Sequence, residues 1–364
     1  MHKSFAQPTR ITAVLAGLGL AASAAFSSIA QADDTDLLAA AEKEGKVIIY
    51  STTDTSAADP VLKGFNSKYP DIQVEYHDMN STEIYNRFVS EQASGANSAD
   101  MVWSSAMDST MQLATQYASK YASPEIPALP DWAVWEDKAY GTTFEPVAFI
   151  YNTRLLTDEE LPRTHAALGE LVAGDVERFK NKVTTYDIEK SAVGYMLAVQ
   201  DSIQDKDYYT FLQQVGAGNL VLQSSTGTMM ERVSSGENIL GYNILGSYAE
   251  VRAEKDPSIG IIYPEDYTLV LSRVAFISEK AQNPNAARVF LNYLLSKDGQ
   301  DILANESNLT SIRADVEGDN DAKGMEEKLG DAIRPIAVND DLLSYLKQKE
   351  RLEFINKWRA AADK

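Results

Sequence analysis

The sequence KVIIYSTTDT, residues 46–55, decides the fold because it joins a short apolar run to a polar turn. Lys46 to Tyr50 is rich in β-branched residues and predicts a strand, which the hydroxyl-rich turn Ser51-Thr52-Thr53 ends. A helix is predicted next over Val61 to Tyr69, with Asp59-Pro60 as its N-cap and first residue. Strand, turn and helix in this order form the repeating unit of a parallel α/β sheet.

The same order recurs in the following residues. Ile72 to Tyr76 alternates as a second strand, and Asn80 with Glu83 three residues later predicts the start of the next helix. Met101-Val102-Trp103 predicts a third strand before another polar turn. Ligands of such sheets lie beyond the carboxyl ends of the strands, where helix N-termini offer unpaired N–H groups.

The chain is long enough for two lobes, since a single core rarely grows beyond roughly 250 to 300 residues. Val147 to Tyr151 predicts a first passage between lobes, and Thr268 to Ser278 predicts the return. The intervening strands are expected at residues 179–186, 220–222, 239–244 and 259–263. We therefore expect a signal peptide over residues 1–32, a first lobe of residues 33–146 plus 268–305, and a second lobe of residues 147–267 plus 306–364.

The N-terminal residues predict export. Lys3 and Arg10 precede the apolar, small-residue run from Ile11 to Ile29, and Ala30-Gln31-Ala32 matches a cleavage site. No cysteine follows that site, which argues against a lipid-anchored form. The expected location is the periplasm, reached through a cleaved signal peptide.

Composition limits the partners. The 33 basic and 53 acidic side chains give a net charge of −20 at pH 7, so nucleic acid is not an expected partner. The chain contains no cysteine, which excludes disulfides, thiolate metal sites and cysteine nucleophiles. We expect a monomer that uses no cofactor.

Hydroxyl side chains dominate the turns that follow the predicted strands. Hydroxyls and helix N-terminal amides suit an oxyanion, although serine and threonine also cap helices and form turns whatever the function. Asp187 could receive an ammonium group or a sugar hydroxyl, or it could cap the following helix. The predicted ligand-binding residues are Ser51, Thr52, Thr53, Thr82, Ser104, Ser105, Thr143, Asp187, Ser225, Thr226, Tyr242 and Asn243.

Three segments carry a resemblance to a known family. They are residues 46–53, the stretch from Gly141 through Asn152, and the helix that begins at Asn283-Pro284 and leads to Gly299-Gln300. In this order they resemble the periplasmic binding proteins of ABC importers, and within that class the ferric-iron-binding group. The resemblance implies a type II two-lobed α/β fold, with each lobe a mostly parallel sheet flanked by helices. It also implies a small-molecule ligand in the cleft and an ABC permease in the inner membrane as the partner.

Iron is the ligand that this resemblance suggests, and the residues weaken it. Iron-binding members carry two adjacent tyrosines after a second-lobe strand, whereas this chain has Tyr242-Asn243 at the place we match to them. The adjacent pair Tyr208-Tyr209 falls in a predicted helix, where one ring should be packed and the other at the surface. His77 and His165 lie far apart in sequence, so no metal site is predicted.

Enzyme motifs are absent from the sequence: there is no G-x-S-x-G, no H-E-x-x-H and no P-loop. The sequence thus favours a non-enzymatic binder of an organic oxyanion such as a phosphate ester, phosphonate or carboxylate. Because the hydroxyl-rich turns contain no arginine clamp, a neutral or zwitterionic solute stays open. A ferric-iron binder of the same fold is the alternative. A secreted glycoside hydrolase that uses two cleft carboxylates is a further alternative.

Overall fold

The structure is a computed structural model that describes His2, residues 35–317 and residues 322–362. The predicted signal peptide and its cleavage site lie outside these residues. None of the helices in the described part of the chain is long and apolar enough to cross a membrane.

Helices alternate with strands along most of the chain. The helices are α1 (35–44), α2 (Thr55–Lys68), α3 (Ser81–Ser94), α4 (Met107–Tyr117), α5 (His165–Gly174), α6 (Val176–Phe179), α7 (Ala192–Gln204), α8 (Tyr208–Gly216), α9 (Thr226–Ser234), α10 (Gly246–Lys255), α11 (Pro284–Leu295), α12 (Lys297–Asn305), α13 (Ala322–Leu329) and α14 (Gln348–Ala362). Short 3-10 turns occur at Ile126–Ala128, Asp131–Ala133, Asp158–Glu160, Gly330–Ala332 and Asp340–Leu343.

The strands are β1 (Lys46–Ser51), β2 (Gln73–Asp78), β3 (Met101–Ser104), β4 (Val134–Trp135), β5 (Ala139–Gly141), β6 (Glu145–Asn152), β7 (Val183–Tyr186), β8 (Val221–Gln223), β9 (Leu240–Leu245), β10 (Ile259–Ile262), β11 (Thr268–Leu271), β12 (Val274–Ile277) and β13 (Ile333–Pro335). They form two sheets. The first has the order β2-β1-β3-β12-β5-β4, and the second has the order β13-β11-β6-β9-β7-β8, with β10 beside β6. We call the units built on these sheets the first and the second lobe, and the two-lobed α/β fold expected from the sequence is confirmed.

Parallel pairing places the carboxyl ends of several strands side by side. In the first lobe β1 runs parallel to both β2 and β3, with Tyr50 opposite His77 on one side and Val102 on the other. In the second lobe β7 runs parallel to β8 and β9. The turns after these strands therefore meet at one edge of each sheet.

Two short segments connect the sheets. The chain leaves β5 of the first sheet and enters β6 of the second through residues 142–144. Residues 268–278, predicted to carry the chain back, form β11 in the second sheet and β12 in the first, with Ser272 and Arg273 between them. The amide of Thr142 donates to the carbonyl of Arg273 at 3.0 Å, so the two crossings lie together. The exact limits that we predicted for the lobes stay a prediction.

Aromatic packing fixes α2 against the outer face of the first sheet. Phe65 is fully buried, and its ring centroid lies 5.0 Å from that of Phe290 in α11. Burying such a side chain stabilises the fold by about 2 to 3 kcal/mol. The predicted start of α2 at Pro60 is wrong: the helix begins at Thr55, because the carboxylate of Asp78 accepts hydrogen bonds from the Thr55 amide (2.9 Å) and hydroxyl (3.2 Å).

Contact between the lobes continues behind the cleft, where α4 packs against α7 and against the 3-10 turn at Asp340–Leu343. Asp108 lies in the first turn of α4 and is 1% exposed. Its Oδ1 accepts from the Ser109 amide at 2.6 Å, whereas its Oδ2 has no hydrogen-bond partner in the described residues. Burial raises the pKa of Asp108 to about 7.

Candidate functional site

A cavity of about 270 Å³ lies between the two lobes at the carboxyl ends of their parallel strands. Both lobes contribute to its walls. The lining residues of the first lobe are Thr52, Asp54, Asp78, Met79, Asn80, Ser81 and Ser105, and those of the second lobe are Tyr186, Ser191, Val193, Ser224, Ser225, Thr226, Gly227, Leu245 and Tyr248. We call this space the cleft cavity.

Six helices of the described part of the chain begin at the cleft cavity. The N-cap residues of five of them line the cavity: Asp54 of α2, Asn80 of α3, Ser191 of α7, Ser225 of α9 and Leu245 of α10. The sixth helix is α4, whose N-cap Ala106 follows the lining residue Ser105. Each helix N-terminus carries a partial positive charge of roughly half a unit and amides that have no partner within the helix. The helix N-termini therefore direct partial positive charge toward the cavity, whose lining also contains the acids Asp54 and Asp78.

Side-chain caps set the geometry of three of these helix starts. Asn80 accepts from the Glu83 amide at 2.9 Å, Ser191 from the Gly194 amide at 3.2 Å, and Ser225 from the Thr228 amide at 3.3 Å. The caps hold the first turns in place. The first amides of those turns, such as those of Thr226 and Gly227 in α9, precede the first intrahelical bond and remain available to a ligand.

Four of the twelve residues predicted from the sequence line the cleft cavity. They are Thr52, Ser105, Ser225 and Thr226. Thr52 and Ser105 hydrogen-bond to one another through their hydroxyls at 3.1 Å, and the Ser105 amide donates to the Thr52 hydroxyl at 2.8 Å. The turns after β1 and β3 thus form one hydroxyl-bearing surface.

Four further predicted residues lie buried beneath the cavity and have partners within the protein. The hydroxyl of Ser51 accepts from the Thr53 amide at 3.0 Å, and that of Ser104 from the Ala106 amide at 3.2 Å. Thr53 accepts a hydrogen bond from Arg273. These residues and Thr143, described below, support the cavity floor rather than line it.

Thr82 and Asp187 lie outside the set of residues that line the cavity. The Thr82 hydroxyl donates to the carbonyl of Lys190 across the lobes at 3.4 Å. Asp187 forms an ion pair with the Lys190 ammonium at 2.9 Å and accepts from the Glu189 amide at 3.1 Å. Both predicted residues therefore hold the turn before α7.

Tyr242 and Asn243 lie inside the second lobe, away from the lining. The Tyr242 hydroxyl and the Asn243 amide (2.8 Å) both donate to the carboxylate of Asp201, as does the Tyr267 hydroxyl at 3.0 Å. Burial raises the pKa of Asp201. Both residues stand in the middle of β9, whereas the cavity is reached only at its end, at Leu245.

The acids and tyrosines of the lining were not predicted from the sequence. Asp78 is the last residue of β2, and Asp54 lies three residues after the end of β1, so their positions near strand ends were a signal that could have identified them. Tyr248 lies within the first turn of α10, and its hydroxyl accepts from the Asp54 amide of the other lobe at 3.2 Å. No local pattern marks Tyr248, because its place depends on how the two lobes meet.

A buried ion pair lies at the two crossings between the lobes. Arg273 donates to Glu145 through Nε (2.7 Å) and Nη2 (3.0 Å), and both side chains are fully buried. The hydroxyls of Thr143 (2.7 Å) and Ser247 (2.5 Å) also donate to Glu145. Burial opposes the charge of Arg273, but the Glu145 carboxylate outweighs burial and raises the pKa of the guanidinium.

The same arginine connects this pair to the cleft. Its Nη1 donates to the Thr53 hydroxyl at 3.0 Å, and its guanidinium carbon lies 5.2 Å from the ring centre of Tyr248. Arg273 thus touches residues of the first lobe, the second lobe and both crossings. Its bidentate bond to Glu145 leaves it neutralised, so the pair acts as the structural floor of the cleft.

Two lobes joined by short crossings, with a cavity of helix N-termini between them, define the class of two-lobed binding proteins. The chain matches the bacterial extracellular solute-binding protein family over residues 61–327 and belongs to that family. The crystal structure of the substrate-binding protein of an ABC transporter from Agrobacterium tumefaciens is 37% identical, with a TM-score of 0.83 over 87% of this chain and 94% of that one.

More distant solved structures share the fold. The periplasmic binding protein AfuA from Actinobacillus pleuropneumoniae, with fructose-6-phosphate bound, is 19% identical with a TM-score of 0.72, over 87% of this chain and 98% of AfuA. The apo ferric ion-binding protein A from Pasteurella haemolytica is 16% identical with a TM-score of 0.68, over 87% and 98% of the two chains. Identities this low show the fold alone. The expected family is thus confirmed, and proteins of this family bind a small ligand and deliver it to an ABC permease.

Proposed function

We propose that this protein captures a small organic solute bearing an oxyanion in the periplasm and delivers it, as a monomer, to an ABC permease in the inner membrane. The oxyanion is a phosphate ester, a phosphonate or a carboxylate. The observation that carries the proposal is the convergence of six helix N-termini on a cavity shared by both lobes. Amides and hydroxyls at helix starts bind oxyanions without needing an arginine.

The size of the cleft cavity favours an organic solute over a bare ion. A volume of about 270 Å³ corresponds to roughly nine water molecules at ~30 Å³ each. An inorganic anion would leave most of that space to water. The fructose-6-phosphate bound by AfuA is a solute of the proposed kind on the same fold.

The alternative ligand, ferric iron, fits the lining less well. The phenols of Tyr186 and Tyr248 both line the cavity, but they come from different elements and each has a protein partner, Thr226 and the Asp54 amide respectively. Burial raises the pKa of both phenols, which opposes the phenolate that iron requires. Among the described residues, no group of three or more histidine, cysteine or acidic side chains could hold a metal ion.

Calorimetric titration tests this function. The wild-type protein is titrated with a panel of phosphate esters, phosphonates and carboxylates, and also with ferric citrate. We expect saturable 1:1 binding by at least one organic oxyanion and none by iron. Absence of heat from every organic oxyanion would refute the proposal.

A matched pair of glycine variants locates the binding. Gly227 lines the cleft cavity, and a Cβ there meets no atom within 4 Å, so Gly227→Leu should fill the cavity without disturbing the fold. Gly174, at the end of α5, has equally open surroundings and does not line the cavity. We expect Gly227→Leu to lose binding at least 100-fold and Gly174→Leu to bind as the wild type does.

A further inference from the structure

Asp54 occupies a special place in the cleft. It is the residue before α2, and it lines both the cleft cavity and an adjoining cavity of about 370 Å³. The two cavities also share Gly227 and Tyr248. A ligand that enters between the lobes therefore lies beside Asp54 whichever of the two spaces it occupies.

The carboxylate of Asp54 has no hydrogen bond or ion pair to any of the residues that the structure describes, and it does not cap α2. The neighbouring acid of the cavity differs. Asp78 takes over the capping role by accepting from the amide and hydroxyl of Thr55. Asp54 is thus the acid of the lining that the fold leaves unused.

The surroundings of Asp54 disfavour its negative charge. Although Asp54 is an exposed residue, partial desolvation and the charge of Asp78 raise the pKa of its carboxyl, and the charge of Arg273 only partly opposes them. A plain oxyanion bound nearby would add further repulsion, since two like charges a few ångströms apart cost energy at a partly desolvated site. A ligand that donates a proton toward Asp54 would instead stabilise both groups.

We propose that the solute carries a hydrogen-bond donor, a hydroxyl or an ammonium group, in addition to its oxyanion, and that Asp54 accepts from this donor. The inference rests on the proposed function and narrows it to bifunctional solutes. The helix N-termini hold the oxyanion, and Asp54 selects against oxyanions whose organic part carries no donor.

Three phosphorus compounds test the inference by calorimetry, at a pH where each phosphorus group is fully ionised: the organic part of glycerol 3-phosphate carries hydroxyls, that of 2-aminoethylphosphonate carries an ammonium group, and that of ethylphosphonate carries neither. We expect the wild type to bind at least one of the first two at least 10-fold more tightly than ethylphosphonate. In Asp54→Asn, affinity should fall about 10-fold for a hydroxyl probe and about 100-fold for an ammonium probe, because hydrogen bonds to charged groups are the stronger. Ethylphosphonate should bind Asp54→Asn as well as the wild type or better.

The control variant is Asp59→Asn, an exposed acid of α2 that pairs with Lys63 and should leave all affinities unchanged. Thermal unfolding of each variant verifies the fold. Equal wild-type affinities for ethylphosphonate and both donor-bearing probes would overturn the inference while leaving the proposed function intact. A uniform loss for all three probes in Asp54→Asn would overturn it as well. Failure of the wild type to bind any organic oxyanion would instead refute the proposed function, and the inference with it.

Discussion

The buried pair of Glu145 and Arg273 gives a sharp test of how the two lobes are held together. Replacing Glu145 with glutamine keeps the size of the side chain and removes its charge. The amide of glutamine has one acceptor oxygen, whereas the carboxylate accepts from both Nε and Nη2 of Arg273 and from two hydroxyls. Glu145→Gln therefore leaves a fully buried guanidinium without its counter-charge.

The expected cost follows from that uncompensated charge. Removing one partner of a buried ion pair destabilises a protein by about 3 to 5 kcal/mol. For a chain of this size the change corresponds to a fall in unfolding temperature of about 4 to 7 °C. Removing both charges, in Glu145→Gln with Arg273→Met, should recover at least half of the loss because no buried charge is then unpaired.

Denaturant and thermal unfolding, followed by circular dichroism, measure the free energies of the single and double variants. The control is Glu75→Gln, which removes the partner of Lys46 from an ion pair whose side chains are both 46% exposed. The control should be close to the wild type, since exposed pairs are screened by solvent. A loss below 1 kcal/mol for Glu145→Gln, or a double variant no more stable than the single one, would refute our account of the pair.

Two further predictions concern stability. Burial raises the pKa of Asp108 to about 7 in the folded protein, whereas the carboxyl ionises near pH 4 in the unfolded chain. The folded protein therefore binds this proton more tightly, and the free energy of unfolding falls as pH rises from 4 toward 7. In urea titrations between pH 4 and pH 7, the free energy of unfolding of the wild type should fall by up to about 4 kcal/mol more than that of Asp108→Asn. Parallel dependences of the two free energies on pH would contradict this. Gly299→Ala should lower the free energy of unfolding by about 1 to 3 kcal/mol in the same assay, because a Cβ there would collide with the backbone carbonyl of Tyr293, which cannot move as a side chain could. A variant as stable as the wild type would contradict this and show that α12 shifts freely.

Much of the fold follows from local patterns. The β-branched run at residues 46–50 and the capping residue Asn80 lie where β1 and α3 begin in the structure. Helix α11 starts at Pro284 after Asn283, as its sequence predicts. The start of α2 was misplaced because its cap, Asp78, comes from the end of a different strand.

The candidate site is harder to derive from the sequence. Turn residues that follow parallel strands were predictable, and Thr52, Ser105, Ser225 and Thr226 lie in the cleft cavity for that reason. Tyr242 and Asn243 precede the end of their strand by a few residues, and that small offset places them in the core of the second lobe.

Contacts between the lobes could not be predicted at all. Glu145 and Arg273 are 128 residues apart, and Tyr248 meets Asp54 across 194 residues. Nothing in the local sequence of either pair indicates its partner, because the pairing is set by the way the two crossings bring the sheets together.

The central claim is that an organic oxyanion binds in the cleft cavity. The most direct measurement is native mass spectrometry of the wild type and of Gly227→Leu, each incubated with a total small-molecule extract of the cells that produce the protein. We predict one organic molecule bound 1:1 to the wild type, with a phosphate, phosphonate or carboxylate group in its fragmentation spectrum, and none bound to the variant. A wild type that emerges empty or with a metal ion alone, or a variant that retains the same molecule, would contradict the claim.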